Sequence, residues 1–414
     1  MKTKLHRCKH SRNGIAPLPK NAISTLGPAT STPKANRLKK LIAVGFVIAV
    51  IVSVIISILR PGIQTFVSLA CALGVLALVA GLAPLLARNK LLSAHVSTGK
   101  LILLGLSVLF SLALAEVGLR VFFSKKLSDP PDELNLLYEY NETLGWAPSK
   151  NTTRLHKGAA RTITVTHNSE GFRGPERVKN DKPNVLFLGD SFVWGYDVEL
   201  SERFTEKFQA KHPEWNVYNL GVCGYGTDQS FLLLQQVFEE YKPHIVILIY
   251  CTDNDFSDNG QNIRYGAHYK PYYTVEGTAD LKLQGVPVFR SEKVLRAQHR
   301  ILFGPYFTRA LLRAYCKKTA PPLVTLQRNP THLILQYMRN YCFSRGSFFA
   351  MGIQDGSKVP ELFDFLKKCF ITHVDLTTEK YPVFSGHWTP EGHTFVCDRM
   401  DDLLEAARNA GYQF

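Results

Sequence analysis

The stretch VFSGHWTPEGH, residues 383–393, places two histidines among polar and turn-forming residues near the C-terminus. A histidine held in a loop ahead of a helix suits proton transfer. A working base of this kind usually has a carboxylate partner that fixes its tautomer and orientation. The positions where that acid is expected hold Phe384 and Ser385, so His387 has no obvious partner. Three other stretches carry groups that such a base could serve: Ser191 in GDSFVWG, Gly221 and Gly224 in NLGVCGYG, and Asn254 with Asp255 in CTDNDFSDN. A serine hydroxyl is a poor nucleophile until a base removes its proton during attack. Glycines leave backbone N–H groups free to approach a ligand.

Something must bring these four stretches together. NVLFLGD (184–190), WNVYNLGV (215–222), IVILIYCT (245–252), GSFFAMGI (346–353) and FITHVDL (370–376) are short apolar runs suited to buried strands. Helix-like segments at 200–211, 227–241, 331–343, 357–369 and 390–410 alternate with them. That alternation predicts an α/β domain of three layers, a parallel sheet covered on both faces. Such sheets place their sites at the carboxyl ends of the strands, which is where all four stretches fall.

GDSFVWG, NLGVCGYG, TDND and HWTPEGH resemble, in order and spacing, the four motif blocks of the SGNH (GDSL-type) hydrolase superfamily. The match covers roughly residues 184–410, and LGWAPSKN with NSEGFRGPE resembles the preface of membrane-anchored bacterial members. The resemblance implies a flavodoxin-like fold and a serine hydrolase that needs no cofactor. Ser191 would be the nucleophile and His387 the general base. The Ser191 and Gly224 N–H groups and the Asn254 side-chain amide would form the oxyanion hole. Each such preorganised donor contributes on the order of 3 kcal/mol to a tetrahedral intermediate. Asp190 is expected to stabilise the serine loop, with Asp255 as a further support.

The departure from the family pattern is at Ser385, where related members carry Asp two or three residues before the histidine. Three readings stay open. His387 could be oriented by a backbone carbonyl or the Ser385 hydroxyl as a dyad; Asp375 or Glu379 could reach the site; or catalysis could be lost and binding kept. His393, in the first turn of the last helix, reads as a structural histidine. Thr389 and Pro390 read as the N-cap and first residue of that helix.

The net charge of +15 would suggest nucleic acid until it is located. Residues 1–40 hold ten Lys or Arg and no acid, while from residue 124 onward the charges nearly cancel. The charge belongs to a tail, which argues against a nucleic-acid-binding surface. Three uncharged or nearly uncharged runs follow that tail: Leu41–Leu59, Ile63–Ala87 and Leu101 to about Phe123, the last interrupted only by Glu116 and Arg120. Each is long enough for a transmembrane helix. The basic flanks predict a cytoplasmic N-terminus and a catalytic domain on the far side, the periplasm of a bacterial inner membrane. The domain plan is then a basic tail (1–40), three transmembrane helices (41–123), a linker and β-rich preface (124–180), and a hydrolase-like domain (181–414) with a lid-like insertion near 260–325. Six of the eight cysteines fall in the exported part, and nothing in their spacing selects a disulfide pairing. No tight His/Cys cluster argues for a metal.

These features together predict a membrane-anchored ester hydrolase acting on acyl, in the first instance acetyl, esters. Its partners would be the lipid bilayer and an ester or acylated glycan. Acyl transfer to a cell-surface polysaccharide, with a membrane acyl-donor partner, is the alternative in the same site. A catalytically degenerate glycan-binding component of the envelope is a third.

Overall fold

The computed structural model describes residues 98–128, 137–178, 180–266, 268–377, 383–384 and 386–412. The basic tail and the first two expected membrane spans lie outside these residues, as do Ser385 and Glu379.

Five strands form one parallel sheet: β1 (Asn184–Leu188), β2 (Asn216–Asn219), β3 (Ile245–Tyr250), β4 (Phe348–Ile353) and β5 (Thr372–Asp375). Their spatial order is 2-1-3-4-5, every neighbouring pair parallel. This is the flavodoxin-like order of doubly wound sheets. The strands are continuous apolar runs because both faces are covered. Leu186, Leu188, Val246 and Leu248 face a layer made by α3 (Thr227–Tyr241), α6 (Thr331–Phe343) and α7 (Pro360–Lys368). Val185, Phe187, Ile245 and Ile247 face the opposite layer, made by α2 (Phe204–Lys211) and α8 (Pro390–Asn409). The last helix starts as its sequence dictates: the Thr389 hydroxyl accepts from the Gly392 N–H, and Pro390 occupies the first helical position.

Two antiparallel hairpins precede the sheet, Tyr138–Asn141 with Gly145–Pro148 and Thr152–Lys157 with Thr162–His167. They are fastened to the loops that follow β1 and β2. The buried Arg173 guanidinium donates to the carbonyls of Gly195 (2.6 Å) and Val198 (2.7 Å). Trp146 Nε1 donates to the Cys223 carbonyl (3.1 Å), and Gln229 Nε2 donates to that of Leu144 (2.7 Å). The insertion between β3 and α6 holds two further hairpins, Ile263–Arg264 with His268–Tyr269 and Tyr272–Glu276 with Asp280–Gln284. Two helices follow, α4 (Glu292–Gln298) and α5 (Tyr306–Thr319). Lys270 roots the insertion in the core: its ammonium, fully buried, pairs with the fully buried Asp228 and donates to the Asp258 and Pro271 carbonyls at 3.0 Å.

One further helix, α1 (Thr98–Phe122), precedes the hairpins. Its segment Ile102–Phe122 is long and apolar enough to cross a membrane, and it leaves Leu104, Phe110, Leu114 and Phe122 exposed. Glu116 and Arg120 pair at 2.7 Å along it. The cysteines among the described residues are unpaired thiols.

Candidate active site

β1 ends at Gly189, whose φ of +148° lets the chain turn where a Cβ would meet Ile249 O at 2.8 Å. Asp190 then caps the short helical turn Ser191–Trp194, its Oδ1 accepting from the Phe192 N–H at 3.0 Å. Ser191 is thereby the first residue of a turn raised at the strand's carboxyl end. Gly221, after β2, permits a close approach to this turn, since a Cβ there would lie 2.5 Å from Trp194 N.

His387 arrives from the far end of the sequence. Val383–Phe384 pairs antiparallel with His387–Trp388, and Gly386 has a φ of +97° that favours glycine. The result is a distance of 2.7 Å between Ser191 Oγ and His387 Nε2. With the imidazole proton on Nδ1, the hydroxyl donates to Nε2, the geometry a general base requires. Two rings hold the imidazole in place: Tyr196 stacks on it at 4.5 Å and 25°, and Phe192 lies 5.0 Å away.

The other imidazole nitrogen is the anomaly. His387 Nδ1 is buried and has no hydrogen-bond partner among the described residues. Asp375 is occupied elsewhere, its Oδ1 accepting from Gly356 N (3.1 Å), Thr377 N (3.0 Å) and Thr377 Oγ1 (2.7 Å). Burial lowers the His387 pKa to about 4, opposed by the negative charges of Asp197 and then Asp253. The nearby acids therefore favour the imidazolium without orienting the ring.

Gly224 and Asn254 follow β2 and β3 at the same edge of the sheet. Gly224 takes φ +78°, and a Cβ at this position would lie 2.8 Å from the Tyr265 hydroxyl. Asn254 Nδ2 donates to Asp258 Oδ2 at 2.9 Å and, at a longer 3.4 Å, to Asp255 Oδ1, while its Oδ1 accepts from Cys251 Sγ. One amide hydrogen is thus anchored on Asp258. Asp258 is itself fully buried and accepts from Arg264 Nη1 at 2.7 Å. Asp255 supports the loop from below, Oδ2 accepting from Cys251 N (3.1 Å) and Thr227 Oγ1 (3.3 Å). Desolvation raises the pKa of Asp190 to about 6, that of Asp255 well above the ordinary carboxylate value, and that of Asp258 upward against the opposing charge of Arg264. His393 takes no part: it is buried, stacks on Phe204, and its Nδ1 accepts from the Phe204 N–H at 3.3 Å.

Next to Gly224 opens a cavity of about 500 Å³. Tyr138, Tyr140 and Trp146 from the first hairpin line it, with Tyr265 and His268 from the insertion and Arg290 stacked on Tyr140 at 4.5 Å. The aromatic and basic stretch RYGAHYKPYYTVEG, read from the sequence as a lid or glycan-binding surface, supplies Tyr265 and His268 of this wall, while the first-hairpin side of the wall and Tyr196, Asp197 and Asp258 were not singled out. Tyr196 lies five residues from Ser191 in the GDSFVWGYD run, and its position there was the one available signal.

No family model matches this chain, and no curated protein does. Among solved structures it is similar to TesA, with 10% identity over 54% of this chain and 99% of the other and a TM-score of 0.33. It is also similar to the esterase EstA from Pseudoalteromonas sp., with 11% identity over 55% of this chain and 100% of the other and a TM-score of 0.32. A lipase/acylhydrolase from Enterococcus faecalis shows 12% identity over 54% and 96% of the two chains, with a TM-score of 0.31. Likenesses this low carry no argument about activity, which has to stand on the site's own geometry.

Proposed function

We propose that this chain is a serine ester hydrolase working through an acyl-enzyme. The observation that carries the reading is the 2.7 Å contact between Ser191 Oγ and His387 Nε2, formed by residues 196 positions apart. Ser191 Oγ attacks the ester carbonyl carbon while its proton passes to Nε2. The carbonyl oxygen becomes an oxyanion, received by the Ser191 and Gly224 N–H groups and the Asn254 amide. Collapse breaks the bond to the alcohol, which leaves with the proton from Nε2. Water then repeats the sequence on the acyl-serine, releasing the acid and restoring Ser191.

The anchor reading rests on Ile102–Phe122 and on the basic tail that precedes it. We read α1 as membrane-spanning, the N-terminus as cytoplasmic and the hydrolase domain as periplasmic. The aromatic wall of the cavity favours a second reading of the same site, transfer of the acyl group to a sugar hydroxyl in place of water. Tyrosine and tryptophan rings supply rigid apolar faces with polar edges, a surface that suits a glycan.

The test is hydrolysis of p-nitrophenyl acetate by the detergent-solubilised chain against Ser191→Ala. The parent is expected to turn over and the variant to fall to background with an unchanged melting temperature. Equal rates refute the nucleophile assignment, and an inactive parent favours a binding protein. Adding glycan acceptors and following acyl-sugar formation separates transfer from hydrolysis.

A further inference from the structure

We propose that the loop 299–305 and the outer face of α5 insert into the headgroup–acyl boundary of the bilayer, so that the cavity lined by Cys223 and Tyr265 is held at the lipid surface. This rests on the reading of α1 as a membrane helix. Glu116 lies six residues before the end of α1, and its carboxylate accepts the Tyr306 and Phe307 N–H groups at 2.9 Å each. At 1.5 Å per residue that docking point is about 9 Å inside the apolar helix. Arg120 stacks over the Tyr306 ring at 4.8 Å, while Arg309 reaches back to the Leu127 carbonyl (2.9 Å) beyond the helix end. The first turn of α5 therefore sits within the depth of the span, and the rest of α5 climbs out of it.

The exposed surface of the loop at that depth, and of the side of α5 that rises from it toward the headgroups, is apolar. Ile301 is 72% exposed and Leu302 59%; on α5, Leu311 is 57% and Tyr315 60% exposed. Leu311 and Tyr315 are four apart and share a face, about a third of a turn round from the buried Arg309, Leu312 and Cys316. Thr308 Oγ1 donates to the Leu302 carbonyl at 2.7 Å, bringing the loop onto that stripe. Exposed cations flank the stripe in sequence, Arg300 before it and Lys317 and Lys318 after it. An apolar face bounded by cations is the composition of an element lying in an anionic lipid interface, where such faces sit roughly 5–10 Å deep. Ala297 and Gln298, with His299 and Arg300 at the start of this loop, form one wall of the cavity. An ester carried by a lipid would then meet the site without leaving the membrane surface.

The experiment uses the full chain in phosphatidylcholine–phosphatidylglycerol nanodiscs, with an environment-sensitive fluorophore on Leu302→Cys, on Phe110→Cys within α1, or on Leu155→Cys in a preface hairpin. The unsubstituted chain, labelled in parallel, supplies the background from native cysteines. The label at 302 is expected to lose most of its emission to lipids bearing a nitroxide near the headgroup and to resist aqueous iodide. The label at 155, where the native leucine is 73% exposed, should behave in the opposite way. Quenching by lipid at 110 but only by iodide at 302 overturns this inference and leaves the anchor intact. Lack of quenching at 110 by lipids bearing a nitroxide midway down the acyl chain, the depth of a residue about 18 Å from the helix end, overturns the anchor reading, and the inference with it.

Discussion

Replacing Ser385 by aspartate should do two separable things to His387. The native imidazole has a pKa of about 4 against an ordinary 6.5, a difference worth about 3.4 kcal/mol at 1.36 kcal/mol per tenfold. A base acts in its neutral form, so the acid limb of kcat/KM is expected near pH 4, with a flat profile through neutrality. Such a base is weakly basic for its task, since the best catalytic pKa lies near the working pH. The productive tautomer also finds no acceptor for its buried Nδ1–H among the described residues, at about 1–3 kcal/mol. The other tautomer satisfies no more bonds and presents an N–H to Ser191. A carboxylate two positions before the histidine would accept from Nδ1, select the tautomer and raise the basicity. In Ser385→Asp the acid limb should move from about 4 toward 6.5. The gain in kcat should lie between about tenfold, from basicity alone, and about ten-thousandfold, the cost of losing the acid where it holds the tautomer. The assay is p-nitrophenyl ester hydrolysis from pH 3.5 to 9, with Ser385→Asn supplying a similar shape without charge. A folded Ser385→Asp protein whose profile superimposes on the parent's would refute this account of the missing acid.

Asn254→Ala should lower kcat by about a hundredfold to a thousandfold, the cost of one oxyanion donor, with KM little changed. Asp258→Asn should reproduce part of that loss through the freed Asn254 amide; parental kcat in Asp258→Asn would show that the anchor is dispensable. Lys270→Met leaves Asp228 buried without its partner, and chemical denaturation should report a loss of about 3–5 kcal/mol; a change below 1 kcal/mol would contradict the pairing. His167, like His387, is held by burial at about pKa 4. The unfolded chain therefore binds protons below pH 6.5 that the folded one refuses, so stability is full above 6.5 and falls as pH drops toward 4. His167→Gln should lower that slope by about one proton's worth, read from urea midpoints between pH 7 and 4.5; an unchanged slope would show that His167 titrates alike in both states.

The five strands were legible because a strand buried on both faces must be apolar throughout, and NVLFL, IVILIY and FFAMGI admit little else. The expected helix at 200–211 is split, a 3₁₀ turn at Leu200–Glu202 leading into α2, because Arg203 turns extended to lie buried under the Trp194 carbonyl. Strand-end placement brought Ser191 and His387 to one edge of the sheet, and their pairing as nucleophile and base came from the resemblance of the motif blocks. The surroundings of that pair were not legible, for a physical reason. The Tyr196 ring on His387, the Asp258–Arg264 anchor and the first-hairpin side of the cavity wall are tertiary contacts between half-buried polar and aromatic residues, which carry no periodicity. The exposed stripe on α5 was equally silent, since Leu311 and Tyr315 read as ordinary core candidates until their exposure is known.

Asp258 ties two things together that a sequence map would draw as separate modules. One carboxylate oxygen holds the Asn254 amide and the other holds Arg264 of the insertion, while the Asp258 carbonyl receives Lys270. The insertion cannot be trimmed away to leave a minimal domain, because its removal would strip Asp258, the acceptor of the Asn254 amide, of its own cationic partners. Variation in the length of this segment among related chains should therefore fall beyond Lys270, where the chain has already been secured, and spare the ten residues that follow Gly260.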